Sequence, residues 1–414
     1  MVNVKLDLCL IQMPNLALEN PKMYQPLGNL YLMAMVKRAG YKAQLLDFRD
    51  GVGDIPPAKF YGFSCTTPEI TMAKEVAKKV DGQTIVGGAH PSLLPDDCQG
   101  SFDYIVRGEG EYVLLHILNG NLKPGIIDAP RIEHLDALPL PDWDSCPEPF
   151  SRTLYTGERY GEGAISSAII GSRGCPFSCA FCGNVYKAPV LFRSVANILY
   201  ELFSLMARGV YHFRFVDDNF TLHPQFAELC KEFHRYGIVY RCHTRSSLIT
   251  PEKAKALAGS GCEECSLGIE SADDYVLELN QKKETVDSHI KAVKALQYAG
   301  LRVKVYWMSG LPGETDETIK LNMEFMKTLK PDKWTLATFT PYPGCEIFNH
   351  PEKYGVSIIN PHWENWWNFT FNVRDLDLPG REGYVHLLQG QTAEEMKARH
   401  DEFYYFLLSE EWRK

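Results

Sequence analysis

The chain has 414 residues, 45% hydrophobic and 23% charged, with a formal net charge of −9 from 43 basic and 52 acidic side chains. That length is enough for two domains with full cores, and the acidic balance argues against a nucleic-acid partner held through its phosphates. A small molecule or a peptide is the expected substrate. The start, Met1 to Leu8, alternates apolar residues and carries an early Asp, so it is not read as a signal peptide. No run of about 18 apolar residues predicts a membrane span. Of the 12 cysteines, most are scattered through core-like segments, which suits reduced thiols in the cytoplasm better than disulfides.

In chain order, residues 4–13 predict a first strand. Pro26-Leu27-Gly28 opens a helix over 29–39 that stops at Gly40. Strands follow at 42–48, 60–65, 83–86 and 103–106, with a helix at about 68–80. The strand at 60–65 is apolar on both faces, as a parallel strand should be. This alternation predicts a doubly wound Rossmann-like α/β domain over 1–120, binding at its strand C-termini. Residues 121–163, punctuated by Pro124, Pro130, Pro139, Pro141, Pro147 and Pro149, read as a proline-rich linker. The rhythm then restarts. Strands are expected at 164–170, 211–216, 238–243, 264–269, 302–308 and 333–339, and helices at 192–208, 224–236, 251–259, 285–299 and 315–329. Thr250 caps and Pro251 starts the third of these helices, and Gly300 stops the fourth. Six βα units fall short of a closed eight-stranded barrel. A short tail, 361–414, holds a tryptophan cluster at 362–369 and one amphipathic helix within 392–412. The cluster reads either as a stacking surface or as a plug closing the side of the barrel, the plug being preferred.

Three cysteines, in Cys175-Pro-Phe-Ser-Cys179-Ala-Phe-Cys182, lie on the loop leaving the first strand of the second set. Thiolates suit iron–sulfur clusters and zinc. A structural zinc site would close with a fourth ligand, and none stands at compact spacing. CxxxCxxC with Phe181 before the last cysteine resembles the signature of the radical S-adenosylmethionine (SAM) enzymes. The resemblance implies a partial (β/α)6 barrel over 164–360. It further implies a [4Fe–4S] cluster on Cys175, Cys179 and Cys182, SAM on the open iron, and a 5′-deoxyadenosyl radical released on reduction. A low-potential donor of flavodoxin or ferredoxin type would supply the electron.

Further motifs end the later strands. Asp217-Asp218-Asn219-Phe220 offers paired carboxylates or a capping turn; it resembles a family turn beside SAM. Arg245 forks onto a carboxylate or makes a surface ion pair. Glu270-Ser271 can accept from ribose hydroxyls or the methionine amine. Gly310 opens a turn expected to pack on adenine, and Glu314 caps the helix that follows. The expected SAM contacts are thus Phe181, Asp217, Asp218, Arg245, Glu270, Ser271 and Gly310. Cys262 and Cys265 form a CxxC, read as core cysteines rather than a second cluster.

The first domain carries Pro26-Leu-Gly28, Ser64-Cys-Thr66-Thr67, Val86-Gly-Gly-Ala-His-Pro91 and Val106-Arg-Gly-Glu-Gly-Glu111. In this order they resemble the cobalamin (B12)-binding domain fused to many radical SAM enzymes. The resemblance implies corrin contacts from Leu27, Gly28, Ser64, Thr66, Gly87, Gly88, His90, Gly108 and Glu109. An Asp-x-His-x-x-Gly motif would place a histidine on cobalt; here Asp47-Phe48-Arg49-Asp50-Gly51 stands instead, so none is expected. The combined expectation is a cobalamin-dependent radical SAM C-methyltransferase. It would act on an unactivated carbon through a 5′-deoxyadenosyl radical and methylcobalamin. The alternatives are a cyclase or rearrangement enzyme with the same cofactors, a methylthiotransferase-like enzyme using Cys9, Cys65 and Cys98, and a corrinoid-binding sensor.

Overall fold

Short apolar runs broken by glycine and proline turns make the strands, and they pair in two parallel sheets. The computed structural model describes residues 6–14, 22, 25–49, 51–146, 150, 163–187, 189–367 and 384–413. It divides into two compact units, one of residues 1–167 with 362–367, the other of 168–361 with 368–414. No helix among the described residues is long and apolar enough to cross a membrane.

In the first unit the chain runs β1 (Leu6–Gln12), α1 (Leu27–Arg38), β2 (Ala43–Asp47), β3 (Ala58–Ser64), α2 (Ile70–Ala77), β4 (Gln83–Gly87), α3 (Ala89–Leu93), α4 (Pro95–Cys98), β5 (Tyr104–Arg107), α5 (Gly110–Leu118) and β6 (Gly125–Asp128). The sheet order is β2-β1-β3-β4-β5-β6, every pair parallel. The chain leaves β1 on one side for β2 and crosses to the other for β3, so the order reverses between them. Such a switch point opens a crevice at the strand C-termini. Cys9, Cys65 and Cys98 lie in the apolar core with Ile11, Phe63 and Ile70. Burial pushes the thiols of Cys9 and Cys98 up to about 12. These are neutral core residues, not poised ligands.

Two expectations are corrected here. The stretch from 121 onward, read as linker, supplies β6, which extends the sheet beside β5. Four residues, mostly exposed, carry too little alternation to be seen in sequence; pairing with β5 makes them a strand. The tryptophan segment was expected to close the side of the barrel; its described residues pack within the first unit. Residues 362–367 belong to the first unit, where Trp363 stacks edge-on against His90 at 5.4 Å and its indole N–H donates to Asp97 at 3.3 Å. The expected cluster's Asn368 and Phe369, and linker residues 147–149 and 151–162, lie outside the described residues.

The second unit continues with β7 (Ser166–Ile169), β8 (Ser172–Arg173), β9 (Leu191–Phe192), α6 (Val195–Met206), β10 (His212–Phe215), α7 (Phe226–Tyr236), β11 (Val239–Thr244), α8 (Pro251–Gly259), β12 (Cys262–Glu270), α9 (Asp274–Leu279), α10 (Val286–Tyr298), β13 (Arg302–Ser309), α11 (Asp316–Leu329), β14 (Lys333–Thr338), α12 (Glu346–Asn349), β15 (Val356–Ile358), β16 (His386–Leu388) and α13 (Ala393–Ser409). The six-stranded sheet runs β14-β13-β12-β11-β10-β7 without a crossover, the order of a half-barrel. Thr250 caps α8, accepting from the Lys253 N–H at 3.2 Å, as its Thr-Pro start predicts. One face of the strands is apolar and buried, carrying Phe213, Phe215, Tyr240, Val303, Val305 and Trp307. Cys262 and Cys265 are buried where β12 starts, with the Cys262 sulfur 3.9 Å from that of Cys242. They are core cysteines, far along the strand from its C-terminal end.

Candidate functional site

The three-cysteine loop sits between the short antiparallel strands β8 and β9. The turn leaving β10 clamps it at three points. Asp217 accepts from the Gly171 N–H at 3.0 Å and the Ser172 hydroxyl at 2.5 Å, at the start of the loop. Asn219 donates from Nδ2 to the Cys175 sulfur at 3.3 Å. Asp218 accepts from Asn184 Nδ2 at 2.8 Å, just past Cys182. Asp217 was expected against SAM; it is buried beneath the loop, and desolvation pushes its carboxyl up to about 6. Its work is positional, and Asp218 and Asn219 are the members of the turn nearer the thiols.

Cys179 is held from the other side. Arg245, at the end of β11, donates from Nη1 to the Cys179 sulfur at 3.0 Å and lies over the Phe177 ring at 4.1 Å. Its other terminal nitrogen donates to the Lys282 carbonyl and faces Glu284 at 3.5 Å. Lys282 in turn sits 3.3 Å from Glu270 and 3.5 Å from Glu284. Four buried charges therefore alternate in sign, Arg245, Glu284, Lys282 and Glu270. Burial raises the Glu284 carboxyl, but Lys282 and Arg245 outweigh it and hold the group below its ordinary range. Glu270 is a non-glycine residue with φ 65°, at a register shift where β12 leaves β13. That turn folds its carboxylate back over Gly268, where a Cβ would stand 2.4 Å from Glu270 Oε1. Ser271 is buried, its hydroxyl accepting from the Asp273 N–H at 3.2 Å. Phe181 is buried in the apolar cluster around the loop, with the Lys282 ammonium 5.9 Å from its ring.

Sequence reading missed the segment 280–284. The Asn280 carbonyl accepts from the Ala180 N–H at 2.9 Å, between two of the cysteines, and Lys282 and Glu284 join the charge chain. Gln281 and Lys283 both adopt φ 53°. The signal was a polar run, Asn-Gln-Lys-Lys-Glu, but it stands directly before the Thr285 cap of α10 and reads as an ordinary helix lead-in.

Gly310 does not present an open backbone for adenine. Its N–H donates to Glu314 at 3.0 Å and its carbonyl accepts from His386 Nε2 at 2.9 Å. A Cβ there would fall 2.4 Å from the Tyr384 ring. The returning C-terminal segment fills this place, which only the tertiary fold decides. Glu314 is likewise not a cap, since Thr315 caps α11; it ties down Gly310 and lies 3.7 Å from Arg399. Burial pushes its carboxyl up to about 7. Between its ordinary value near 4.5 and about 7, the folded chain keeps a proton that the unfolded chain releases, so Glu314 costs stability as pH rises through that window. Glu314→Gln is expected to gain on the wild type by about 2 kcal/mol between pH 5 and pH 6.5. Urea titrations at the two pH values check it, and a difference that does not move with pH contradicts it.

In the first unit, a cavity of about 350 Å³ opens where β1 and β3 part, lined by Gln12, Leu27, Gly28, Arg49, Ser64, Thr66, Glu69 and Gly88 among others. Asn29, another lining residue, donates to Gln12 at 2.9 Å while its own Oδ1 is buried with no hydrogen-bond partner. Gly28 has nothing within 4 Å of an added Cβ, so its face is open. Arg49, in the place where a cobalt-binding motif has histidine, is locked onto Asp47 by two bonds of 2.8 and 2.7 Å. Five of the nine expected corrin contacts line this cavity: Leu27, Gly28, Ser64, Thr66 and Gly88. Gly87, Gly108, His90 and Glu109 do not. His90 is fully enclosed, its ring nitrogens meeting Thr67 at 3.3 Å and Asp97 at 3.0 Å. Glu109 is buried and accepts from the Ile132 N–H. These residues hold the strand exits together, and a ligand-like glycine pattern cannot be told from such packing in sequence. His90, Asp97 and Cys98 bring their ligating atoms within 4.8 Å of one another, but Lys74 already supplies a cation to Asp97 at 2.7 Å.

The donor sets fit the expected groups. Cys175, Cys179 and Cys182 are free thiols that bring three soft donors to one loop, the donor chemistry that an iron–sulfur cluster takes. Burial raises the Cys175 thiol and pushes Cys182 up to about 11, while the donors Asn219 and Arg245 favour thiolates.

Residues 169–326 match the model of the radical SAM superfamily, and residues 20–118 that of the B12 binding domain. The chain is 28% identical over 389 residues to an uncharacterized methyltransferase of Pyrococcus horikoshii, covering 83% of this chain and 81% of that one. It is 23% identical over 374 residues to bacteriochlorophyllide d C-12(1)-methyltransferase of Chlorobaculum tepidum, covering 86% and 79%. Its fold is similar to that of the radical SAM methyltransferase TsrM of Kitasatospora setae, solved with cobalamin and a [4Fe–4S] cluster. There the TM-score is 0.65 and the identity 16%, over 85% of this chain and 80% of that one.

Proposed function

Because the chain belongs to the radical SAM proteins that carry a B12-binding domain, we propose that it is a cobalamin-dependent radical SAM enzyme that methylates an unactivated carbon of a small molecule. The observation that carries this reading is the three-thiol loop at the strand C-termini of the half-barrel, its sulfurs supplied with N–H donors. Bound there, a [4Fe–4S] cluster with SAM would supply a 5′-deoxyadenosyl radical, and a corrin in the first unit the methyl group.

Everything else is the chain's own work, which is positional. Cys175, Cys179 and Cys182 would hold the cluster. Asp217 fixes where their loop begins and Asn219 donates to the first sulfur. Arg245 donates to the second and is itself kept in place by Glu284. Glu270, beside Lys282, offers a carboxylate for SAM's amine or ribose hydroxyls. Phe177 and Phe181 keep water from the loop. On the other unit, Ser64, Thr66 and Asn29 offer polar atoms, and Gly28 and Gly88 close backbone approach, for a corrin. The electron would come from a flavodoxin- or ferredoxin-type donor in the cytoplasm.

The test is anaerobic reconstitution with iron, sulfide and hydroxocobalamin, then incubation with methyl-deuterated SAM and a reductant. About four irons and one corrin per chain are expected, with formation of 5′-deoxyadenosine and S-adenosylhomocysteine. Four irons without a corrin would overturn the cobalamin assignment and leave a radical SAM enzyme of another kind.

A further inference from the structure

Three elements of the first unit end or begin at its cavity. Gln12 closes β1 and pairs in register with Ser64, the last residue of β3. Asn29 lies in the first turn of α1, and Thr66 stands two residues past β3. All four residues line the cavity.

The Met13 carbonyl can only accept. It accepts from Gln12 Nε2 at 3.1 Å, so the amide oxygen of Gln12 is the atom turned to Asn29. Asn29 meets that oxygen with its own N–H, Nδ2 to Oε1 at 2.9 Å. One backbone carbonyl thus fixes the orientation of both amides. Asn29 Oδ1 is left over. It is a buried acceptor, on a residue 2% exposed, and no donor among the described residues meets it. Thr66 ends in a similar state. Its backbone N–H and its hydroxyl both donate to Glu69 Oε2, at 2.7 and 2.9 Å. A hydroxyl has one proton, so the Thr66 oxygen keeps only lone pairs for a ligand. Burial pushes the Glu69 carboxyl up to about 7, and above that pH it too can only accept.

A buried acceptor without a donor costs stability, and folded chains keep few of them. Here the cost falls on the wall of a cavity, where a bound group would relieve it. We infer that Asn29 Oδ1 holds the cofactor by accepting from a neutral N–H or O–H group, with Thr66 as a second acceptor. Two parts of a cobalamin carry that chemistry, the carboxamides of the corrin edge and the sugar hydroxyls of the nucleotide tail. An anionic group in the same place would set acceptor against acceptor. This role rests on the function proposed above. It adds a residue that lies outside the glycine and hydroxyl pattern legible in the sequence, and it states what that residue selects.

The experiment uses the full chain with its cluster reconstituted and corrin omitted, at about pH 8, where Glu69 is ionised. It is titrated with hydroxocobalamin and with cobinamide, which keeps the carboxamide edge and lacks the nucleotide. Binding is read from the change in the corrin absorption spectrum. Asn29→Leu nearly keeps the volume and removes the acceptor. It should melt within about two degrees of the wild type, since one orphan acceptor goes while Gln12 loses a donor. Its affinity for hydroxocobalamin should fall roughly tenfold or more. Asn29→Asp keeps an acceptor, so it should bind more tightly than Asn29→Leu. Thr66→Val, at an exposed position, should fold as the wild type does and bind severalfold more weakly. Wild-type affinity in Asn29→Leu overturns the role. So does an Asn29→Asp protein no better than Asn29→Leu, which would leave Asn29 only to hold Gln12. If Asn29→Leu melts far below the wild type, Thr66→Val decides, and unchanged affinity there overturns the role. Cobinamide that weakens with Asn29→Leu names the carboxamide as the donor. Cobinamide that is unaffected, or that does not bind, while hydroxocobalamin weakens names the sugar hydroxyl. A wild type that binds neither corrinoid overturns the function proposed above, and this role with it. A wild type that binds while the variants match it overturns this role alone.

Discussion

An Arg245→Met protein is expected to make 5′-deoxyadenosine from SAM roughly 100- to 1,000-fold more slowly than the wild type. Arg245 is the hub of the thiol loop. It donates to the Cys179 sulfur, covers Phe177, and answers the buried charge of Glu284. Removing it leaves Glu284 with Lys282 at 3.5 Å as its cation. Breaking one partner out of a buried ion pair costs about 3–5 kcal/mol, and each 1.4 kcal/mol expressed at the site is about tenfold in rate. Arg245→Lys keeps the charge but loses the fork, so it should fall between the two. Iron and sulfide analysis run beside the cleavage assay separates a lost cluster from a misplaced one. Wild-type rates in Arg245→Met would reduce the guanidinium to packing.

The second large effect belongs to the other unit. Gly88 has φ 102°, and an added Cβ would lie 2.7 Å from the Cys65 carbonyl oxygen and 2.8 Å from its nitrogen. Neither atom is a flexible tip that can swing aside. Strain at a left-handed position costs about 1–3 kcal/mol, and forcing backbone apart adds about 1–3 more. Gly88→Ala is therefore expected to destabilise the first unit by roughly 4 kcal/mol and to abolish corrin retention. Gly28→Ala is its counterpart. Gly28 lines the same cavity but has open space around its Cβ, and alanine suits its helix better by up to about 1 kcal/mol. It should leave the melting temperature unchanged or higher while reducing corrin retained per chain severalfold. Full retention in Gly28→Ala would mean that the corrin does not use this cavity.

Much of the architecture was legible in the chain alone. Every expected strand is present: the first sheet offers short apolar runs such as β3, and the half-barrel strands alternate buried apolar with polar residues, as in β11 and β13. The expected barrel helices are present too, since Thr250, Thr285 and Thr315 cap their ends locally. The thiol loop was legible for the same kind of reason. Three ligands within eight residues must share a loop wherever the rest of the chain goes.

What the sequence could not determine is the set of partners that each strand-end residue would meet. Asp217 and Gly310 stand where the family pattern puts SAM contacts, yet one lies under the thiol loop and the other under Tyr384. His90 sits among ligand-like glycines, yet it closes on Asp97 and Trp363, the latter 273 positions further along the chain. Glu284 and Lys282 looked like a helix lead-in, yet they order Arg245. Spacing within a few residues determines local chemistry, because backbone geometry carries it without help. Contacts between residues tens to hundreds apart exist only after the sheets have formed, so the tertiary structure alone decides which side chains hold the thiol loop.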